Sequence, residues 1–197
     1  MTKTPETQTS QQVINLSGQL LVAMPGEVSG SLENTVIYLC EHSANGALGL
    51  VINRPTDLTI AELLQRLNLD HAQMIGALAD EPVCYGGPVQ TDRGFVLHGP
   101  GFSYNSSTTL GDFSLTTSRD VLQDLAQGKG PEQVLITLGY AGWGAGQLEQ
   151  EMGDNAWLNV QATHDILFNV PHAQRYNAAL AQLGIDPLML SGGVGHA

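Results

Sequence analysis

Thr35-Val36-Ile37-Tyr38-Leu39-Cys40-Glu41-His42, then Ser43-Ala44-Asn45-Gly46, then Ala47-Leu48-Gly49-Leu50-Val51-Ile52-Asn53: this stretch decides the fold. Two apolar, β-branched runs joined through an Asn-Gly pair predict a β-hairpin, because Asn and Gly tolerate the backbone conformations a tight turn needs. Upstream, Gly18 to Met24 is a short apolar run closed by Pro25-Gly26, which predicts a buried strand opening the fold.

Downstream of Pro55 the pattern turns helical. Thr59 stands as N-cap with Glu62 three residues later, and Leu58 and Leu63 occupy the staple positions. Val83 to Val89, interrupted by Gly86-Gly87-Pro88, reads as a strand running into a turn, and Gly94 to His98 as another short strand. Tyr104 to Asp112 is polar and predicts an exposed loop or weak hairpin before Phe113 to Thr117. Thr117 is then expected to cap a second helix, with Asp120 at N3 and Gly128 as the stop.

Val134 to Tyr140 is the most strand-like run of the second half, and Ala141-Gly142-Trp143-Gly144-Ala145-Gly146 leads from it into a short helix over Gln147 to Met152. A strand over Trp157 to Val160 and a helical turn from Thr163 follow. The last helix is expected over His172 to Leu183, with Ala173, Tyr176, Leu180 and Leu183 on one face and Gly184 as its stop. Strands do not alternate regularly with helices, which favours an α+β domain built on a mixed, strongly curved sheet over a doubly wound parallel one.

Composition bounds the rest. A chain of 197 residues with 42% hydrophobic residues can build one sizeable core. The expected organisation is a disordered polar tail over 1–13 and one compact domain over 14–197. No apolar run approaches the roughly 18 to 20 residues of a membrane-spanning helix, and the polar N-terminus does not read as a secretory signal, so a cytoplasmic setting is the expectation. Cys40 and Cys84 lie in apolar, strand-like runs and read as reduced, buried thiols. Nineteen acids against seven cations give a formal net charge of −12, a field that repels phosphate backbones and disfavours direct nucleic-acid contact.

Several strings, taken together and in order, resemble one family: "LLVAMPG", "IYLCEHSANGALGLVINRP", "GGPVQTDRGFVLH", "LTTSRDVL", "LGYAGWGAGQLEQEM", "NAWL" and the terminal "GHA". They are similar to the AlgH/YqgE family of bacterial proteins, from about Gly18 to the C-terminus. The resemblance implies a single domain whose mixed sheet closes toward a barrel, with helices packed around it. Through a name taken from genetics it also implies an effect on transcription of alginate-synthesis genes, without implying DNA contact. The helix pair near Thr163 to Leu183 carries one arginine and lacks the basic recognition face that a helix-turn-helix requires.

Within the family strings, Arg54, Arg93 and Arg119 sit beside turns or caps, in Asn53-Arg54-Pro55, Asp92-Arg93-Gly94 and Ser118-Arg119-Asp120. In a chain so poor in cations, such guanidinium groups could form an anion site; the competing reading pairs each with a neighbouring acid. With Asn53, Gly86 and Gly87 from the same turns, and with His42, His98, Tyr140 and Trp143, they make up the ligand-binding candidates. Cys40 and His42 stand two apart on a strand and so are expected to face one side, as a metal-ligand or thiol–base pair would need. The competing reading is a buried thiol and a turn-capping imidazole.

The glycines around Trp143 could expose backbone amides to an anion at a helix start, or serve a tight turn and close packing. Gln147, Glu149 and Glu151 read as a solvated face. Gly-x-Ser-x-Gly, Ser-x-x-Lys and His-Glu-x-x-His are absent. No cofactor is expected. The leading expectation is a non-catalytic binding or regulatory domain for a small anionic ligand or a protein partner. A hydrolase using His, Cys and Arg at strand ends, and an indirect transcriptional regulator, stand as alternatives.

Overall fold

The computed structural model describes residues 15–74, 76–187 and 190; the tail expected over 1–13 and the terminal Gly-His-Ala string lie outside them. β1 (Gln19–Ala23), β2 (Val36–Ser43) and β3 (Gly46–Val51) run antiparallel in succession. The β2–β3 hairpin is the expected one, but Ser43 pairs with Gly46, so Ala44 and Asn45 are the central turn residues. The left-handed backbone falls on Gly46, at φ 130°. A Cβ there would stand 2.3 Å from the Trp143 carbonyl oxygen, so the next strand demands this glycine as much as the turn does.

Val36–Cys40 of β2 and Gly49–Val51 of β3 are buried whichever way the side chains alternate, which is why both strands read as continuous apolar runs. Next come β4 (Pro55–Thr59), α1 (Ile60–Arg66), β5 (Pro82–Tyr85) and the long β6 (Val89–His98). The α1 cap is the predicted capping box: Glu62 N–H donates to Thr59 Oγ1 and Thr59 N–H to the Glu62 carboxylate. The expected strand into a turn is β5, ended before Gly86-Gly87-Pro88, and β6 extends the expected Gly94–His98 strand back to Val89.

β7 (Ser107–Leu110) and β8 (Phe113–Thr116) form the hairpin alternative of the polar segment. α2 (Asp120–Ala126) starts later than predicted. Thr117 gives no cap; instead Ser118 Oγ donates to Asp120 Oδ1. β9 (Val134–Gly144) continues to Gly144, so the tight turn expected over Ala141–Gly146 is confined to Ala145-Gly146, and α3 (Gln147–Gly153), β10 (Trp157–Gln161) and α4 (Arg175–Gln182) follow.

The sheet order is β10-β1-β2-β3-β9-β6-β8-β7, with β4 and β5 attached to the side. β5 lies parallel to β9, which makes an otherwise antiparallel sheet mixed. The fold is therefore α+β, a strongly curled, half-barrel sheet with helices around it. Alternation along each strand sorts the core: Leu20, Val22, Tyr38, Leu50, Phe95 and Phe113 turn inward, where Leu167, Ala179 and Leu180 fill the curl. Leu21, Ile37, Leu39 and Trp143 turn outward under Leu148 of α3. Val83, Val96 and Ile136 pack under Ile60 and Leu64 of α1 and Val121 and Leu125 of α2. On α4 the buried residues are Arg175, Ala179 and Leu180, while Ala173 and Leu183 of the predicted face are exposed.

Candidate functional site

The three turn arginines have separate partners. Arg54 donates to the Glu33 carbonyl, Arg119 to the Leu67 carbonyl, and Arg93 reaches Gln90 Oε1 at 3.4 Å while its guanidinium lies 5.1 Å from the Phe95 ring centroid. No hydrogen bond or ring contact joins any two of them among the described residues, and none is paired with an acid. For Arg54 and Arg119 backbone carbonyls, and for Arg93 a side-chain amide and a ring, stand where the two sequence readings put anions or carboxylates. Asn53 works beside Arg54: its Oδ1 accepts from Val36 N–H at 2.8 Å and its Nδ2 donates to the Asn34 carbonyl at 3.0 Å. The two side chains thus clamp the 33–36 loop.

Gly86 and Gly87 mark a backbone crossing. A Cβ on Gly86 would lie 2.2 Å from the Gly139 carbonyl oxygen, and one on Gly87 2.1 Å from the Tyr140 carbonyl carbon. Tyr140 and Trp143 line a shallow concavity of about 450 Å³ with Glu41, Ser43 and Asn45.

Cys40 and His42 do not share a face. The β2–β3 register shifts between Leu39 and Glu41, so Cys40 is the extra residue of a bulge, and a bulge reverses the alternation that follows it. Cys40 packs inside the curl with Tyr38, whereas His42 turns toward α3. There, Leu16 N–H donates to His42 Nδ1 at 3.1 Å, so Nε2 carries the proton and donates to Glu149 Oε1 at 3.0 Å. His98, fully buried, is equally committed: Nδ1–H donates to the Gly99 carbonyl at 2.8 Å and Nε2 accepts from Thr116 Oγ1 at 2.9 Å. Burial pushes the Cys84 thiol up to about 12 and the Cys40 thiol well above its ordinary value. No group of three or more His, Cys, Asp or Glu that could hold a metal exists among the described residues.

Gln147 and Glu149 are exposed, as the solvated-face reading expects, and Glu151 is half-buried; the face nevertheless bonds to the fold. Glu151 Oε2 accepts both indole N–H groups, from Trp143 at 2.9 Å and from Trp157 at 2.7 Å, and Gln147 Nε2 donates to its other oxygen at 2.8 Å. Gln147 Oε1 takes the Gly144 N–H at 3.0 Å. The amide offered by the glycine-rich stretch is therefore spent within the fold.

One cleft gathers what the sequence did not point to. It encloses about 460 Å³ where the short helical turn Gly76–Asp80, the loop after α2, and the segment before α4 meet. Met74, Leu78, Leu125, Leu135 and Phe168 supply apolar wall; Glu81, Glu132, Gln133, His172 and Arg175 supply polar groups. Arg175 is 3% exposed, the one lysine or arginine buried among the described residues.

Its Nε donates to the Val170 carbonyl at 3.0 Å and its Nη1 to the Ile52 carbonyl. No acceptor among the described residues meets Nη2. Burial lowers the Arg175 pKa from its ordinary value; Cys84 and Glu81 act in the opposite sense. Burial, and then the Arg175 charge, pull His172 down to about 4, so its imidazole is neutral at physiological pH. Arginine inside a helical stretch with an exposed-looking pattern gives no signal of burial in sequence; only the convergence of Ile52 and Val170 carbonyls creates it.

Among the described residues no helix is long and apolar enough to cross a membrane. A family model described as AlgH-like matches residues 20–188. A UPF0301 protein of Bordetella petrii is 63% identical over 183 residues, which span 93% of this chain and 90% of that protein. A UPF0301 protein of Ralstonia nicotianae is 56% identical over 185 residues, 93% of this chain and 96% of that one. The solution structure of the AlgH protein from Pseudomonas aeruginosa aligns with a TM-score of 0.74 at 46% identity, covering 100% of both chains. A crystal structure of a Corynebacterium diphtheriae protein aligns with a TM-score of 0.69 over 89% of each chain, and at 18% identity it speaks for the fold alone.

Proposed function

The chain belongs to the AlgH-like family, and from that premise we propose that it is a non-catalytic binding domain that takes a small anionic ligand in the Arg175 cleft. The observation that carries this reading is the buried guanidinium: a cation 3% exposed, anchored by two carbonyls and lining a cavity of about 460 Å³. Ligand sites of this kind are concave, largely apolar and equipped with a few convergent polar groups.

The hydrolase alternative has less behind it. Both ring nitrogens of His42 and of His98 are already engaged, so neither imidazole offers a free nitrogen to a substrate. A role in transcription, in this reading, runs through the ligand or a protein partner, since a net charge of −12 opposes approach to duplex DNA. A cytoplasmic setting fits the two free, buried thiols.

The test is a thermal-shift screen of wild type and Ala77→Phe against phosphate, hexose phosphates and carboxylates. Ala77 is an exposed wall residue, so the larger side chain fills the cleft without entering the core. A ligand selective for the native state raises the melting temperature of wild type, and Ala77→Phe removes that rise. If no anion shifts either protein, or both shift equally, the cleft is not the site.

A further inference from the structure

Resting on the anion-cleft reading, we infer that the ligand is a monoanionic carboxylate carrying an apolar tail, with its head at Arg175 and its tail along Leu78, Leu125 and Phe168. Charge counting on the cleft walls limits the head group. Among the described residues, Arg175 is the only Lys or Arg in the lining, and two carboxylates, Glu81 and Glu132, line the same space. The guanidinium has committed Nε and Nη1 to Val170 and Ile52, which among the described residues leaves Nη2 to meet a ligand. His172 stands beside it as a neutral imidazole able to donate or accept one hydrogen bond but contributing no charge.

A dianionic phosphate would bring two charges to one cation between two like-charged side chains. Glu81 and Glu132 oppose any anion, but they oppose a dianion with twice the charge of a carboxylate, and a carboxylate needs only the one guanidinium to offset its own charge. The glycines of the loop after α2 offer phosphate no free amide either: those of Gly128 and Gly130 are bonded to the carbonyls of Leu125 and Asp124.

The remaining wall selects the tail. Met74, Leu78, Leu125, Pro131, Leu135 and Phe168 line the same space, and a volume of about 460 Å³ is far more than a bare carboxylate fills. A hydrocarbon or aryl body would remove this surface from water, which is the main source of affinity for small ligands in apolar clefts.

The experiment is isothermal titration of wild type and Ala77→Phe with acetate, butanoate, hexanoate, octanoate, benzoate, inorganic phosphate and a hexose phosphate. Each added methylene is expected to tighten binding by about fourfold until the cleft is filled, with both phosphates weaker than octanoate. Ala77→Phe should abolish the dependence on tail length. Backbone and methyl chemical shifts recorded with octanoate should move at Leu78, Leu125 and Leu135, which locates the tail without any variant.

Tighter binding of phosphate or hexose phosphate than of any carboxylate overturns the ligand class and leaves the anion cleft standing. Tail-length dependence that persists in Ala77→Phe, or shift changes confined to other surfaces, also overturns it. Absence of binding by every anion sinks the carboxylate and the cleft together.

Discussion

The hydroxyl of Tyr38 donates to the carbonyl of Leu110 at 3.2 Å across 72 residues of chain, tying β2 to the far end of the sheet order. Tyr38 is fully buried, and the Phe113 ring stands edge-on to it at 6.1 Å. Tyr38→Phe keeps the packing and deletes only the bond, so stability should fall by about 1 kcal/mol. Urea unfolding reads this directly; an unchanged midpoint would mean that β7 is held by its pairing with β8 alone.

Glu151 offers the sharpest spectroscopic handle, because both tryptophans of the chain donate to one of its oxygens. Glu151→Ala should cost about 3 kcal/mol and alter the intrinsic fluorescence, since two buried indole N–H groups lose a charged acceptor. Glu151→Gln should fall between the two proteins, as its amide can still accept from the indoles but sets an NH₂ against that of Gln147. Equal stability of all three would remove Glu151 from any structural role.

Two glycines with left-handed backbone should respond differently to a methyl group. Gly26 (φ 82°) has open space around it, so Gly26→Ala carries only the conformational cost of about 1–2 kcal/mol. Gly46 (φ 130°) would drive its Cβ to 2.3 Å from the Trp143 carbonyl oxygen, and Gly46→Ala should cost more than about 3 kcal/mol. Similar melting temperatures for the two variants would contradict the close β3–β9 approach.

The thiols should be silent in the native state. Cys84 is held neutral up to about 12, from an ordinary value of 9.0, so the folded protein keeps a proton that the unfolded chain releases. Stability is therefore expected to fall as pH rises from about 9 toward 12, and a thiol reagent at pH 8 should label neither cysteine until denaturant is added. Fast labelling of the folded protein would show one of them to be accessible.

His172 gives the acid-side counterpart. With its value pulled from 6.5 down to about 4, the native imidazole stays neutral while the unfolded one takes up a proton. Stability should thus be present above about 6.5 and decline as pH falls toward 4, with His172→Gln flattening that decline. Direct NMR titration of the ring gives the same information; a midpoint near 6.5 would mean that neither burial nor Arg175 reaches it.

The sequence made the β2–β3 hairpin and the Thr59–Glu62 cap legible because both are local: turn geometry and first-turn amides are satisfied by residues a few positions apart. Site chemistry was not local. Cys40 and His42 looked like neighbours on one face until a single bulged residue separated them. Arg54 and Arg119 were visible as rare cations, but their carbonyl partners come from Glu33 and Leu67, at 21 and 52 residues' remove. Arg175 carries no such local signal, because its burial depends on Ile52, 123 residues away.

β9 is joined to β3 and β5 along one edge and to β6 along the other, so among the described residues it is the only strand whose ladders connect the hairpin half of the sheet to the β6–β8–β7 half. About two-thirds of the chain, 133 of 197 residues, precedes Val134. A nascent polypeptide must therefore wait with two unjoined apolar pieces until this segment leaves the ribosome. Such late, non-local closure predicts slow folding and a need for chaperone shelter during synthesis.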